Sequence, residues 1–311
     1  MGTPAYAAVS LARLLRGPHR VKAVVTRPDK PRGRGQQTEP SPVKKLAEEA
    51  GLEVLDPASA RDPAFLARLR ELDVDLGVVV AYGRILPKEA LEAPRLGCIN
   101  AHASLLPALR GAAPIERAVL AGLTETGVTI MQMNEGLDEG DIILLRPMPV
   151  PDSMNGTELR AALAELSADV LAEAVDLFAA GPVTRIPQDH AAATFAPPLR
   201  KEEAALDWSA DATSLRLRVR AFAPKPGAFT FDGRTRLKVL EARVTDEGSA
   251  GAAAGTLLGT SAGALRVACG SGVLEIVTLQ PEGKRAMSAV DYERGMRGAD
   301  PRRRFGAHAE N

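Results

Sequence analysis

Three side chains carry the chemistry open to this sequence. Asn100 and His102 stand two residues apart at the end of the apolar run GCINAH, and a carboxylate follows at Asp138 in MNEGLDEGD. Residues i and i+2 of a strand project from the same face, so the amide and the imidazole would point together. In an open α/β sheet, ligands collect at the carboxyl ends of strands, where that pair would lie. Acyl transfer to an amine suits such a set, because the tetrahedral oxyanion needs a fixed donor such as the Asn100 amide or a protonated His102. The incoming ammonium must also lose a proton, which an imidazole takes near neutral pH while a carboxylate orients it or relays the proton through water. Spacing alone leaves another reading open, in which Asn100 closes a turn, His102 fills a polar niche and Asp138 belongs to a loop. Sequence order does not bring Asp138 to His102. The histidines at 19, 102, 190 and 308 are scattered, and no pair has the spacing of a zinc site, so no metal is expected.

A scaffold for the cluster is legible in the first half of the chain, where VKAVVT, SPVKKLAEEAG, LEVLDP, DPAFLARLREL and DLGVVVAY follow one another. Apolar runs alternating with amphipathic ones are the rhythm of an α/β fold with a parallel-rich sheet and crossover helices. Ser41 before Pro42 and Asp62 before Pro63 each set a capping side chain ahead of a proline suited to the first helical position, and Gly51 stops the earlier helix. Phe65, Leu66, Leu69 and Leu72 recur at helical spacing and are core candidates. TGVTIMQM and DIILLRPMPV supply further strands, and the Ala- and Leu-rich GTELRAALAELSADVLAEAVDLFAAG a long helix. The proline-broken PVTRIPQDHAAATFAPPLRKEEA lacks sustained periodicity and reads as a linker. Beyond it FTF, a turn at Asp232 and Gly233, RLKVLEARV and LRVACGSGVLEIVTL predict a small β-barrel of OB-like type. The expected division is a catalytic domain over 1–181, a linker over 182–200 and the barrel over 201–311.

At 311 residues, 45% hydrophobic and 25% charged, the chain is long enough for two cores of unequal size. Its 39 Lys and Arg balance 39 Asp and Glu, so no positive field surrounds the whole molecule and any RNA contact must use local patches. Cys98 and Cys269 are far apart, which fits a reduced cytoplasmic enzyme better than a disulfide-built secreted one. Residues 1–20 hold no apolar core behind a basic leader, and Tyr6 breaks a myristoylation pattern. The longest apolar runs are too short to span a bilayer. A monomer with no membrane partner is expected.

At NAHASLLPALRGAAPIERA the chain resembles the folate-dependent formyltransferase superfamily, whose hallmark is Asn-x-His ahead of a Ser-Leu-Leu-Pro turn, with a distant Asp. Asn100, His102 and Asp138 match that catalytic trio. Similarity continues through MGTP, RPDKPRGRG, VVVAYGRILP, EGLDEGD, DWS, RAFAPKPGAF and LQPEGKRAMSA. It resembles the branch whose acceptor is methionyl-initiator tRNA. The resemblance implies a Rossmann-like catalytic domain, 10-formyltetrahydrofolate as formyl donor, and no metal. It also implies a folate pocket at Ile85 and Leu86, at the turn of Ser104, Leu105, Leu106 and Pro107, and at the loop carrying Glu135, Gly136, Leu137 and Asp141. For Ile85 and Leu86, ordinary core packing is the alternative. Implied tRNA contacts are Lys30, Arg32 and Arg34, in a loop that otherwise reads as solvated surface, together with Lys284 and Arg285. The basic and aromatic pair that follows the SLLP turn in the superfamily is Ala108 and Leu109 here, and a tryptophan of the family is Lys225. Those changes touch the grip on the acceptor rather than the formyl chemistry. Finally, the superfamily has a full strand before its MGTP-like turn, whereas Met1 stands at that turn here. The sheet is therefore expected to lack a central strand, which an in-frame start upstream would supply.

Overall fold

The computed structural model describes residues 1–32, 37–245, 248–249, 251–295 and 303–306, so Arg34 lies outside the described residues. Two compact units form, one from Met1–Pro114, Thr124–Val150 and Arg160–Pro197, the other from Ile115–Leu123, Pro151–Leu159 and Pro198–Asn311.

The chain begins with α1 (Ala5–Leu15), β1 (Ala23–Val25), β2 (Lys30–Arg32), β3 (Gln37–Glu39), α2 (Pro42–Glu49), β4 (Glu53–Leu55) and α3 (Pro63–Glu71). There follow β5 (Gly77–Val79), α4 (Lys88–Leu91), β6 (Cys98–His102), α5 (Pro114–Leu120), β7 (Glu125–Gln132), β8 (Ile142–Pro149) and α6 (Gly156–Ala180). Both expected caps are made. Ser41 Oγ accepts from Lys44 N at 3.1 Å, and an Asp62 carboxylate oxygen accepts from Ala64 N at 2.8 Å, satisfying amides that have no partner inside the helix. Past α2 the chain reverses at Gly51, whose φ of 67° favours glycine. Phe65 and Leu69 of α3 are buried, with Leu66 and Leu72 packed on the same cluster.

In the first unit β1 pairs with β4 in parallel and β5 with β6 in parallel, after which β7 and β8 add antiparallel in the order β5–β6–β7–β8. No ladder joins β1 to β5. Gly2 N donates to Val25 O at 2.9 Å and Val80 N to Met1 O at 2.9 Å, so Met1 and Gly2 bridge the two sheets. A cavity of about 560 Å³ borders this bridge, with Val24, Val43, Leu69, Leu72 and Val78 among its walls. Apolar walls facing empty space lose the dispersion contacts that packing would give them. The middle of the four-stranded sheet is better filled: Ile99, Val128 and Ile130 are fully buried. Each contributes roughly 1.5–3 kcal/mol relative to exposure. Burial of Ile99 and Ala101 on one face of β6 leaves Asn100 and His102 together on the other.

The second unit carries α7 (Ala212–Phe222), β9 (Ala228–Asp232), β10 (Thr235–Thr245), β11 (Leu257–Ser261), β12 (Ala264–Ala268), β13 (Val273–Pro281), β14 (Met287–Ser288), α8 (Ala289–Arg294) and β15 (Phe305–Gly306). Its sheet is antiparallel in the order β11–β12–β13–β10–β9–β15, with β14 on β13. A bridge between Thr256 and Arg304, and Phe305 N donating to Gly255 O at 2.8 Å, join the two ends of that order, so the sheet curls as a barrel does. The first hairpin turn falls one residue later than expected. Asp232 pairs with Thr235, leaving Gly233 and Arg234 as the turn, because the buried Asp232 carboxylate is engaged by Tyr292 Oη at 2.6 Å and by Arg303. Among the described residues no helix is long and apolar enough to cross a membrane.

Candidate active site

Strand register sets the pair in place, with Asn100 opposite Val79 on one side and Met131 on the other, and His102 opposite Thr129. His102 is buried, and its Nε2 lies 2.9 Å from Leu109 O, so this nitrogen carries a proton and donates. The lone pair of that tautomer sits on Nδ1, which faces Asp138 Oδ2 at 3.6 Å. Both atoms are acceptors in that tautomer, so a hydrogen bond forms between them only once Nδ1 takes up a proton. Asn100 is half-buried, and no hydrogen bond holds its side-chain amide among the described residues. The amide is free to meet a ligand. Nearby Cys98 is not a competing nucleophile, since burial pushes its thiol up to about 11.

Backbone geometry aims the carboxylate. Gly111 N donates to Asp138 Oδ2 at 2.9 Å. Gly111 has φ 117°, and a Cβ there would lie 2.9 Å from Ala196 O, so this donor has to be a glycine. Asp138 has φ 51°, a left-handed conformation that Asp tolerates better than most residues.

The SLLP turn is tied to β7 through one buried hydroxyl. Leu106 N donates to Thr129 Oγ1 at 3.0 Å, and Thr129 Oγ1 donates to Ser104 O at 2.7 Å. Ser104 Oγ closes the turn on Ala108 O at 2.6 Å. On the far side Leu109 N donates to Thr194 Oγ1 at 2.9 Å, Arg110 N to Thr194 O at 2.9 Å, and Ala196 N to Arg110 O at 2.7 Å. Residues read as a linker thus brace the turn that receives His102. Sequence reasoning missed Thr129, Gly111 and Thr194. A threonine set between Val128 and Ile130 in the run TGVTIMQM was the available sign of the first, and nothing in the proline-broken stretch marked the last.

The residues expected to hold folate divide by exposure. Leu86 is buried and packs with Val79, Tyr82 and Cys98, whereas Ile85 is 81% exposed. Core packing therefore describes Leu86 and not Ile85. Leu106 and Ser104 are buried and Leu105 and Pro107 half-buried; Glu135, Gly136 and Leu137 are exposed. Asp141 O accepts from Gln132 N at 2.9 Å, which closes the base of that loop. Of the cations, Lys30 and Arg32 belong to β2, paired with β3, while Lys284 and Arg285 are exposed in the turn after β13 of the second unit.

Comparison with known proteins gives the site a context. Residues 2–175 match a family described as formyl transferase, and residues 198–297 one described as formyl transferase, C-terminal domain. A methionyl-tRNA formyltransferase of Moorella thermoacetica is 45% identical over 295 residues, covering 95% of this chain and 94% of its own. Another from Symbiobacterium thermophilum is 46% identical over 296 residues, covering 95% and 91%. Among solved structures, an N-formyltransferase from Helicobacter canadensis in complex with folinic acid and dTDP-3-aminofucose matches with a TM-score of 0.67 at 16% identity, over 88% of this chain and 96% of that one. HypX from Aquifex aeolicus in complex with tetrahydrofolic acid matches with a TM-score of 0.58 at 21% identity, over 82% of this chain and 44% of that one. At such identities the two structures speak for the fold alone.

Proposed function

The chain belongs to the formyl transferase family, among its methionyl-tRNA formyltransferases, and from that premise we propose how its residues do the work. The reaction moves a formyl group to the free amino group of methionyl-initiator tRNA, with 10-formyltetrahydrofolate as donor and tetrahydrofolate as the product left behind. The observation that carries the assignment of roles is the meeting of His102 and Asp138 at 3.6 Å beside an unpartnered Asn100 amide.

Asn100 donates to the formyl oxygen as negative charge develops there, a fixed donor that needs no reorganisation at the moment of reaction. His102 takes the proton of the attacking ammonium at Nδ1, the nitrogen whose lone pair is left free because Nε2 donates to Leu109 O, and returns a proton to the folate nitrogen as the formyl–nitrogen bond breaks to release tetrahydrofolate. Asp138 orients the ring and balances the charge the ring acquires. Ile85 and Leu137 are exposed apolar side chains that suit the flat face of a pterin. Leu86 and the turn of Ser104, Leu105, Leu106 and Pro107 form the wall behind it. Backbone groups at Glu135, Gly136 and Asp141 meet its polar edge. Lys30, Arg32, Arg34, Lys284 and Arg285 contact phosphates of the acceptor, fixing its position rather than reading its bases. The work belongs to the cytoplasm, where initiator tRNA is charged, and a monomer suffices for it.

An acceptor assay tests the assignment. Purified protein given 10-formyltetrahydrofolate is expected to formylate charged initiator tRNA and to leave a nucleotide-sugar amine untouched; formylation of the sugar alone overturns it.

A further inference from the structure

One buried amide outside the trio holds the loop that presents Asp138. Gln188 is 5% exposed and hydrogen-bonded on both sides. Arg110 donates to its Oε1 from Nε at 3.1 Å and from Nη2 at 2.7 Å, while its Nε2 donates to Asp138 O at 3.0 Å and to Gly140 O at 2.7 Å. The partners dictate which way the amide faces, because a guanidinium only donates and backbone carbonyls only accept. Arg110 is itself buried, also reaches His190 Nδ1 at 3.3 Å, and forms no ion pair with a carboxylate among the described residues. Its charge is therefore directed at the Gln188 carbonyl, polarising the amide and strengthening the two donations beyond it.

Those donations go to a stretch that needs holding. Asp138 is a non-glycine residue at φ 51°, a conformation that persists only when its surroundings over-determine it. At Gly140 the backbone passes so close to Gln132 O that a Cβ would lie 1.8 Å away. Gly111 N fixes one oxygen of the Asp138 side chain, and Gln188 fixes the main chain from which that side chain projects.

We propose that Gln188 is a positioning residue, holding the Asp138 backbone so that the carboxylate faces His102 Nδ1, and that it affects turnover through Asp138. The inference rests on the catalytic roles assigned above. Gln188→Glu keeps the shape and the acceptor for Arg110 but loses both donations, and Gln188→Met loses them without adding charge but also removes the acceptor for Arg110. Each is expected to lower kcat by about tenfold to a hundredfold, the scale of a small misplacement of a catalytic group. Leaving buried groups without partners is expected to lower the thermal midpoint, so kcat is read well below it, and KM for the charged tRNA should stay within about twofold. In an Asp138→Ala background the Gln188 changes should add no further loss, which a double-mutant cycle reads directly. Wild-type kcat in both Gln188 variants overturns the proposal. So does an equal loss with and without Asp138, which would make Gln188 general scaffolding. Wild-type kcat in Asp138→Ala alone would instead overturn the role of Asp138 itself. Should the glutamate variant fail to fold, the methionine variant carries the test.

Discussion

Burial decides what individual side chains of this protein do, and the two cysteines show it most simply. Desolvation pushes the thiols of Cys98 and Cys269 up to about 11, so both remain protonated well above neutral pH. In native protein at about pH 8, where a free cysteine ionises appreciably, an aromatic disulfide reagent is expected to label neither until denaturant is added. Prompt labelling of the native protein would contradict that burial. The same principle explains which residues were legible in the sequence. Asn100 and His102 could be paired because alternation on a strand is a local rule. Asp138 was placed by resemblance, and its approach to His102 depends on Gly111 and a left-handed turn that no periodicity announces. Gln188 lay hidden in a stretch without periodicity, 78 residues along the chain from Arg110.

Elements with their own start and stop signals were read best. α2 and α3 begin at Pro42 and Pro63 behind the Ser41 and Asp62 caps, as the capping rule requires. Removing the second cap by Asp62→Ala leaves amides at the start of α3 without that acceptor. It is expected to cost about 1 kcal/mol of stability, with turnover unchanged because α3 supplies none of the trio. Urea unfolding followed by circular dichroism measures this, and a loss of activity without a shift in midpoint would contradict it. Strand extents were less legible. LEVLDP and VKAVVT are apolar over more residues than the three-residue ladder of β1 with β4 uses, because pairing depends on a neighbour that the segment itself does not specify. The helix α1 carried no side-chain cap to announce it, and is tied to α6 by Tyr6 Oη donating to Leu163 O at 3.1 Å.

For the molecule as a whole, equal numbers of cationic and acidic residues mean that no net positive field draws in a long anionic substrate, and the tRNA contacts proposed above rest on local groups. Asn100, His102 and Asp138 and the groups that brace them all belong to the first unit. The central claim is that Asn100 and His102 act on the formyl group itself rather than on its delivery. Single-turnover transfer from 10-formyltetrahydrofolate to methionyl-initiator tRNA, measured with both substrates saturating and with folate affinity determined in parallel, tests it most directly. Asn100→Ala and His102→Ala are each expected to slow the transfer step by about a hundredfold or more, the scale of a lost oxyanion donor or proton acceptor, with folate affinity preserved. Transfer at the wild-type rate in both variants would contradict the account.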